Sequence, residues 1–424
     1  MRKVTLIRGA RQLLTLRGPS GPRRGTELGN LGIIQDGAVL IVDGLVREVG
    51  PSRRLENLAA AREADEIDAS ACVVMPGFVD TGAHLVSGPA RVIDYQTRLG
   101  GPASEQVAYA GGETLAIARS IQDLSVRLLE SIALGVLEEA VRHGTTAMET
   151  KSGLGLTDAG EIKILKAHSA LQERPVTIVS TFQCDRPPPG YERETDEYMQ
   201  WISSHLLPLV KRRKLAEFAG IRCGERSFTP RQAFRYLTAA QQLGLGLKLR
   251  ADAGASRETI RLAVEMEATS VDDIVDLQES EARLLARSHA IATLSPGAAF
   301  HLALERYPPA RMLIDSGAAV ALGTNYNPAT SPSQNILMMI ALACRSMHMS
   351  AAEAVTAATV NAAHAIGRAS SIGSLEIGKS ADLLLLSVPD YREIPYHFGV
   401  NLVELVMQSG VVLVERSEVK WPAR

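Results

Sequence analysis

Several strand-like runs of this sequence end in side chains that could carry out chemistry. Glu149 and Lys151 stand two residues apart on one such run, so their side chains face the same side of a strand. A carboxylate and an ammonium group in that arrangement could act as a general base and a general acid. The alternative is a structural salt bridge at the rim of the fold, which needs no reactive role.

Basic and metal-binding side chains follow other runs of the same kind. Arg91, Lys151 and Arg186 could form a pocket for an anionic small molecule, because forked guanidinium groups match carboxylates. Equally, they could be ordinary charges at the rim of the fold. His84 follows the apolar run that begins at Val73, and it could either ligate a metal or serve as a hydrogen-bonded structural group.

The elements that must position these residues alternate regularly. Strand-like runs are separated by helix-compatible sequence, a pattern that is typical of parallel α/β folds. The eight runs are residues 73–80, 144–150, 176–183, 218–223, 245–251, 268–272, 290–295 and 318–324. They predict an α/β fold, a (β/α)8 TIM-like barrel, whose C-terminal rim receives the side chains described above.

Both ends of the chain contain short β segments. Residues 38–49 hold two strand runs joined by Asp43-Gly44, which is a strong hairpin signal. Residues 381–388 form a buried-strand run, and residues 402–419 indicate a second hairpin around Gly410. We therefore expect a small β-sandwich domain built from residues 1–72 and 370–424, with the barrel at residues 73–369.

The composition argues against several classes of protein. Of the 424 residues, 46% are hydrophobic and 22% are charged, which suits a full core and a polar surface. A formal net charge of −2 argues against nucleic acid or an anionic membrane as the main partner. The four cysteines are scattered without a CxxC pair, and the N-terminus does not read as a signal peptide, so we expect a cytoplasmic location.

Four segments carry a family resemblance. They are residues 76–84 (PGFVDTGAH), 149–156 (ETKSGLGL), 324–332 (TNYNPATSP) and 372–383 (IGSLEIGKSADL). In these segments the chain resembles imidazolonepropionase, a family of the amidohydrolase superfamily. The resemblance implies the same barrel, one divalent metal (zinc or iron), hydrolysis of the C–N bond of a cyclic amide and, as is common in the family, a homodimer.

The sequence departs from the family at the metal site that the resemblance implies. The four ligand positions hold Gly82, His84, Arg250 and Asn325, where the family has three histidines and an aspartate. Catalytic zinc needs about three protein ligands, and an arginine cannot lose its proton to become one. We therefore expect no metal cofactor and no hydrolysis by a metal-activated water.

Other changes point to a replacement for the metal's charge. Asp273 stands where the family has a histidine, and Arg250 could pair with Asp252 or Asp273 in the vacated space. The alternative is that Arg250 points into solvent. Glu225 lies next to the position of a family glutamate, and Arg91 matches an arginine that the family uses to hold the substrate carboxylate.

These observations predict an imidazolonepropionase-like protein without hydrolase activity that binds a small carboxylated molecule. The residues expected to bind this ligand are His84, Arg91, Lys151, Arg186, Arg250 and Asn325. The alternative is an active enzyme, either a cyclic amide hydrolase of the family type or a metal-free acid/base enzyme. Its candidate catalytic residues are Glu149, Lys151, Asp273 and Glu225.

Overall fold

The computed structural model describes residues 3–99, 112–191, 193–224, 227–252, 254–416 and 418–421, and its strands form two sheets. In chain order the strands are β1 (Val4–Leu14), β2 (Ile33–Val42), β3 (Leu45–Pro51), β4 (Asp65–Asp68), β5 (Val73–Pro76), β6 (Phe78–Ala83), β7 (Thr145–Lys151), β8 (Thr177–Cys184), β9 (Phe218–Cys223), β10 (Gly246–Ala251), β11 (Ser270–Asp272), β12 (Ile291–Leu294), β13 (Val320–Leu322), β14 (Leu383–Leu386), β15 (Val403–Gln408), β16 (Val411–Glu415) and β17 (Glu418–Val419).

Strands β6 to β13 form a parallel sheet in which each strand pairs with the next one along the chain. The two edges of this sheet meet where Thr324, just after β13, donates hydrogen bonds from its backbone N–H and its hydroxyl to the Asp80 carboxylate of β6, at 2.9 and 2.5 Å. Beside this contact, the His84 N–H donates to the Tyr326 carbonyl oxygen at 2.7 Å. The predicted eight-stranded barrel is therefore confirmed, and each predicted run overlaps one of its strands.

The first predicted run divides at Gly77 between the two sheets. Strand β5, before this glycine, pairs with β1 and β14, whereas β6, after it, begins the barrel. A Cβ atom at Gly77 would lie 2.2 Å from the Thr146 hydroxyl oxygen, so the close approach of β7 requires glycine at this point. The sequence did not reveal the change of sheet because the run is apolar on both sides of this glycine, through Val79.

Helices connect the barrel strands and pack against their outer faces. Ser125 and Thr229 each cap a helix by accepting a hydrogen bond from its first turn. The helices are Ser52–Leu55, Val92–Leu99, Gly112–Asp123, Val126–Arg142, Asp158–Leu171, Thr195–Trp201, Leu207–Arg212, Pro230–Gln242, Ser256–Glu265, Glu279–Ala286, Pro296–His301, Ala310–Asp315, Ile336–Ser346, Ala351–Ala357, Val360–Ala365 and Glu393–Tyr396, with 3-10 turns at Gly25–Gly29 and Ala59–Glu63 and a π-helical turn at Ile202–Leu206.

The second sheet contains nine strands from both ends of the chain. Its order is β17-β16-β15-β14-β5-β1-β2-β3, with β4 beside β1. Its hairpins meet, because a Cβ atom at Gly44, between β2 and β3, would lie 2.5 Å from the Ser409 carbonyl oxygen, between β15 and β16. Ile7, Val39 and Leu383 belong to the buried apolar core of this unit. The predicted fold class is confirmed, and the proposed domain limits stay a prediction.

Small apolar side chains fill the N-terminal end of the barrel. Val79, Ala147, Val179 and Ala321, which we call the base, are completely buried in one cluster on β6, β7, β8 and β13. Residues two places further along a strand face the same interior. The interior therefore continues from the base towards the C-terminal ends of the strands, which we call the mouth, near Lys151, Arg250 and Asn325.

Among the described residues, no helix has both the length and the apolar character required to cross a bilayer. The four cysteines, Cys72, Cys184, Cys223 and Cys344, are free thiols. The cytoplasmic location stays a prediction.

Candidate functional site

The deepest charged layer of the barrel joins Glu149 to Lys248. The Lys248 ammonium donates hydrogen bonds to the Glu149 carboxylate at 2.6 Å and to the Ala365 carbonyl oxygen at 2.7 Å. Thr181 donates to the other oxygen of Glu149 at 2.6 Å. Burial lowers the pKa of Lys248, although the charge of Glu149 opposes this shift. Because both side chains are sealed from solvent, this pair holds the barrel together rather than facing a ligand.

Lys151 lies above this pair and contacts the Asp272 carboxylate, with Glu149 at 3.8 Å. Burial alone would lower the pKa of Lys151, but the charges of Asp272 and Glu149 outweigh it and raise that pKa above its usual range. Burial likewise opposes ionisation of Asp272, yet Lys151 holds the pKa of this carboxyl below its usual range. Glu149 and Lys151 thus take part in salt bridges, the structural alternative considered from the sequence.

Gly82 makes room for Lys151. A Cβ atom at residue 82 would lie 3.0 Å from Cε and 3.2 Å from Nζ of Lys151. These separations are tight for a carbon atom, so a side chain at residue 82 would have to push the lysine away from Asp272. The glycine that replaces a family ligand and the position of the Lys151 ammonium therefore depend on each other.

Arg250 points into the mouth, not into solvent. Its Nε donates to Asp273 at 2.6 Å, and its Nη1 donates to Asp185 at 3.2 Å. Burial opposes the charge of Arg250, but the two carboxylates raise its pKa beyond the usual range. The pKa of Asp185 is lowered in spite of burial, mainly by the charge of Arg250. Asn325 donates to the other oxygen of Asp273 at 3.3 Å, so these four side chains form one connected cluster.

Asp252, the second partner considered for Arg250, belongs to a neighbouring pair. It accepts hydrogen bonds from the Arg222 guanidinium and, at 2.9 Å, from the Ser227 hydroxyl. Arg222 and Arg250 are register partners on β9 and β10. Each arginine therefore has its own carboxylates, and the suggested pairing of Arg250 with Asp252 is corrected in favour of Asp273 and Asp185.

His84 is a buried structural group in this arrangement. Its Nδ1 lies 3.1 Å from the Lys151 carbonyl oxygen, and its own N–H bonds to the carbonyl oxygen of Tyr326. Burial lowers the pKa of His84 to about 4, so the ring is neutral near pH 7. The histidine therefore links β6, β7 and the loop after β13.

Some of these residues surround one narrow cavity at the mouth. About 10 Å³ of it is open to the centre of a water-sized sphere, which is room for about one water molecule in this closed arrangement. The lining residues are Thr81, Gly82, Lys151, Arg250, Asp272, Asp273, Thr293, Ser295 and Asn325. Within this wall, Lys151 is paired with Asp272 and Arg250 with Asp273. The cavity thus offers hydroxyl and amide groups, while Lys151 is held by Asp272 and Arg250 is held by two carboxylates, Asp273 and Asp185.

Four predicted residues within the described part of the chain do not line this cavity: Glu149 and His84, placed above, and Arg91 and Arg186. Arg91 precedes the helix Val92–Leu99 and pairs with Asp94. Arg186 follows β8 and is partly buried. Glu225 lies outside the described residues, so its candidate role stays a prediction.

Sequence reasoning missed Lys248 and Asp185, although a signal for each was present. Lys248 stands two residues before Arg250, so strand alternation places it on the same inward face. Asp185 directly follows β8, at the rim where barrel strands present functional side chains.

The residues at the four family ligand positions do not fit a metal in the way that the motif implies. Gly82 has no side chain to ligate, the guanidinium of Arg250 cannot act as a ligand, and Asn325 already donates to Asp273. In the described ranges, no group of three or more histidine, cysteine, aspartate or glutamate side chains is arranged to hold a metal ion. His84 is the single usual zinc ligand that remains at these positions.

The chain is similar to known proteins over nearly its whole length. A family model described as the amidohydrolase family matches residues 239–413. The imidazolonepropionase of Geobacillus kaustophilus (strain HTA426) is 40% identical over 418 residues, which are 97% of this chain and 98% of that protein. That of Parabacteroides distasonis is 38% identical over 407 residues, or 96% of this chain and 97% of the relative.

A solved structure with the same fold bears on the cofactor. Atrazine chlorohydrolase TrzN from Arthrobacter aurescens TC1, complexed with zinc, has a TM-score of 0.73 at 16% identity and covers 98% of this chain and 96% of its own. The expectation of no metal cofactor is wrong, because the amidohydrolase relatives that this chain matches are metal-dependent. That expectation rests on four sequence positions, whereas metal dependence is a property of the family as a whole. The chain belongs to the amidohydrolase family, as an imidazolonepropionase-like member.

Proposed function

We propose that this protein binds a small carboxylated molecule at the mouth of the barrel and does not perform the hydrolysis of its family. The observation that carries the proposal is the ion-pair cluster in which Arg250, at a family ligand position, is bound by Asp185 and Asp273. A cluster of this kind keeps a permanent cation in the wall of the cavity, and a guanidinium group recognises carboxylates through paired hydrogen bonds.

The engagement of the carboxylates supports the loss of hydrolysis. A general base must have a free lone pair within hydrogen-bond reach of the attacking water. Asp272 is bound by Lys151 and Thr293, and Asp273 is bound by Arg250 and Asn325. Another candidate, Glu149, is fully buried beneath them. Each of these groups is already engaged by donors within the closed cluster.

The names of the relatives support a carboxylated ligand. Proteins up to 40% identical to this chain are named imidazolonepropionase, and a propionate group carries one carboxylate. Arg91 precedes a helix whose Tyr95 ring stacks on His301. His301 ends a short helix that begins directly after Ser295, a residue of the cavity wall, so this helix links the region of Arg91 to the rim. Arg91 pairs with Asp94 and lies outside the cavity wall, and we propose it as a second guanidinium for the same class of ligand.

The second candidate function is hydrolysis of imidazolone propionate. It is favoured by the 40% identity over 97% of the chain to an imidazolonepropionase. The two candidates share a ligand class and differ in turnover, so one substrate can separate them.

The deciding experiment offers imidazolone propionate to the full chain and measures both binding and turnover. Calorimetry should detect binding that Arg91→Gln weakens, while absorbance should show no consumption of the compound. Arg368→Gln is the matched control, because Arg368 forms an arginine–carboxylate pair with Glu217, which precedes β9 at the opposite end of the barrel. Steady consumption at an enzymatic rate would establish the second candidate, and absence of binding would contradict the first.

A further inference from the structure

The two carboxylates on Arg250 are not equivalent. The side chain of Asp185 is 10% exposed and also accepts a hydrogen bond from Gln183 at 2.8 Å. The side chain of Asp273 is 22% exposed and lies in the cavity wall. The pair with Asp273 is the shorter one, at 2.6 Å against 3.2 Å for Asp185, but the Asp273 carboxylate regains hydration more easily when its pair opens because it is more exposed.

The backbone at Asp273 and Asn325 is unusual. Their φ angles are +59° and +47°, in the left-handed region that favours glycine, and they hydrogen-bond to each other through their side chains. Non-glycine residues in this region collect at ligand sites and switches, where the surrounding structure holds them in place. At Asp273 this conformation turns the carboxylate onto Nε of Arg250.

Arg250 retains donor capacity towards the cavity. Its Nε and Nη1 are used by Asp273 and Asp185, and within the described ranges its Nη2 makes no hydrogen bond. A guanidinium group has five N–H donors in a planar fork, so several remain for a further acceptor. The hydroxyl groups of Thr81 and Ser295 line the same cavity and can donate to the same acceptor.

We propose that Arg250 is an anion subsite in which the carboxylate of the ligand exchanges with Asp273. The inference rests on the proposed function and deepens it, because it adds Arg250 to the groups that recognise the carboxylate and makes Asp273 an internal competitor for that place. Before and after exchange the guanidinium has two carboxylates, Asp185 and either Asp273 or the ligand. Asp273 then turns towards solvent, while the buried pair of Lys151 and Asp272 stays closed.

The test compares the binding of imidazolone propionate and of glutarate to the full-length chain and to Asp273→Asn. An amide cannot pair with the guanidinium as a carboxylate does, so the variant should bind both compounds at least about tenfold more tightly. Asparagine is among the residues that most often adopt a positive φ angle, which preserves the backbone. Asp273→Gly is the second variant, since glycine suits the same conformation and removes the competitor completely.

The matched control is Asp276→Asn, in the same loop. Asp276 pairs with Arg306 on the surface, at 2.9 Å, so its substitution makes the same change in charge without touching the cavity. We expect Asp276→Asn to leave both dissociation constants unchanged, and Arg250→Lys to weaken binding because the fork is lost.

The outcomes separate the two claims. If the natural chain binds and Asp273→Asn binds no more tightly, the exchange is refuted while the proposed function stands. If the natural chain does not bind and Asp273→Asn does, Asp273 is the competitor that we infer. If neither the natural chain nor the two variants at residue 273 bind either compound, both the subsite and the carboxylated ligand are refuted.

Discussion

The two ends of the barrel are built on opposite principles. At the base, Val79, Ala147 and Val179 fill the interior with apolar side chains and no charge. At the mouth, two of the same strands present Lys151 and the Asp80 carboxylate, each held by specific partners. Apolar packing at the base tolerates replacement by side chains of similar volume, whereas each charge at the mouth depends on one particular partner.

This difference explains how the family fold persists while its ligand positions change. Burial of apolar surface is the main source of stability, and it resides in the base and under the outer helices. Buried ion pairs give little net stability relative to apolar residues of the same size, but losing one partner is costly. The mouth could therefore change only by concerted substitutions, of which Arg250 with Asp273 is an example.

The largest effect is expected from Glu149→Ala in the deepest charged layer. The substitution leaves Lys248 without a counter-charge in a sealed environment, so the free energy of unfolding should fall by about 3–5 kcal/mol. Urea unfolding followed by circular dichroism measures this loss. Glu217→Ala, which breaks a partly exposed pair with Arg368, is the control and should cost no more than about 1 kcal/mol.

A double substitution sharpens the same prediction. Glu149→Leu together with Lys248→Met removes both charges and keeps the volume, so much of the stability lost in the single variant should return. If the double variant is less stable than Glu149→Ala, the layer contributes net stability and the contrast with the base is invalid.

The next effect is a dependence of stability on pH at Asp80. Burial raises the pKa of this carboxyl from 3.8 to about 6, so the folded protein holds the proton more strongly than the unfolded chain. Between these two values, raising the pH must therefore reduce the free energy of unfolding, by roughly 3 kcal/mol in total. The free energies of unfolding of the natural chain and of Asp80→Asn are measured at pH 4, 5 and 6. The difference between the two proteins should shrink as the pH falls towards 4, because asparagine resembles the protonated carboxyl. Parallel pH profiles would contradict it.

The sequence predicted the barrel because strand-like runs and helix-compatible segments can be recognised in every strand–helix repeat of the barrel. The expected run at residues 176–183, for example, differs from β8 (Thr177–Cys184) by one residue at each end. These signals are local, since alternation and chain breaks are read over a few residues. The change of sheet at Gly77 was harder to see, because it depends on the partner strands and not on the run itself.

The site was less predictable because its contacts cross between strands. The sequence allowed Arg250 to pair with Asp252 or Asp273, and only the register of β9 and β10 assigns Asp252 to Arg222. Likewise, the sequence showed a missing ligand at Gly82 but not that Lys151 fills the adjacent space. The expectation of no cofactor failed for another reason, since it treated four substitutions as sufficient evidence about a family-wide property.

A smaller effect is expected from Gly82→Ala, which tests the fit between this residue and Lys151. The added Cβ atom is placed 3.0 Å from Cε of the lysine, so the free energy of unfolding should fall by about 1–3 kcal/mol. Lys151 has a flexible side chain, and the variant should therefore fold. Gly135→Ala, where a Cβ atom meets no neighbour within 4 Å in a helix, is the control and should be neutral or stabilising. Equal effects at the two glycines would show that Lys151 does not limit the space at residue 82.

The smallest effect is expected at the base, from Ile291→Val. Ile291 is 3% exposed in the apolar cluster, and removal of one methyl group should cost about 0.5–1.5 kcal/mol.

Ile291 aligns with Ser270 on β11, so Asp273 lies three residues further along the strand direction, roughly 10 Å away. Substitutions so far apart usually add within about 0.3–0.5 kcal/mol. The double variant Ile291→Val with Asp273→Asn should therefore combine the stability change of one with the ligand affinity of the other. Coupling beyond that range would mean that the base and the mouth adjust to each other, and the ligand positions could then not have changed independently of the core.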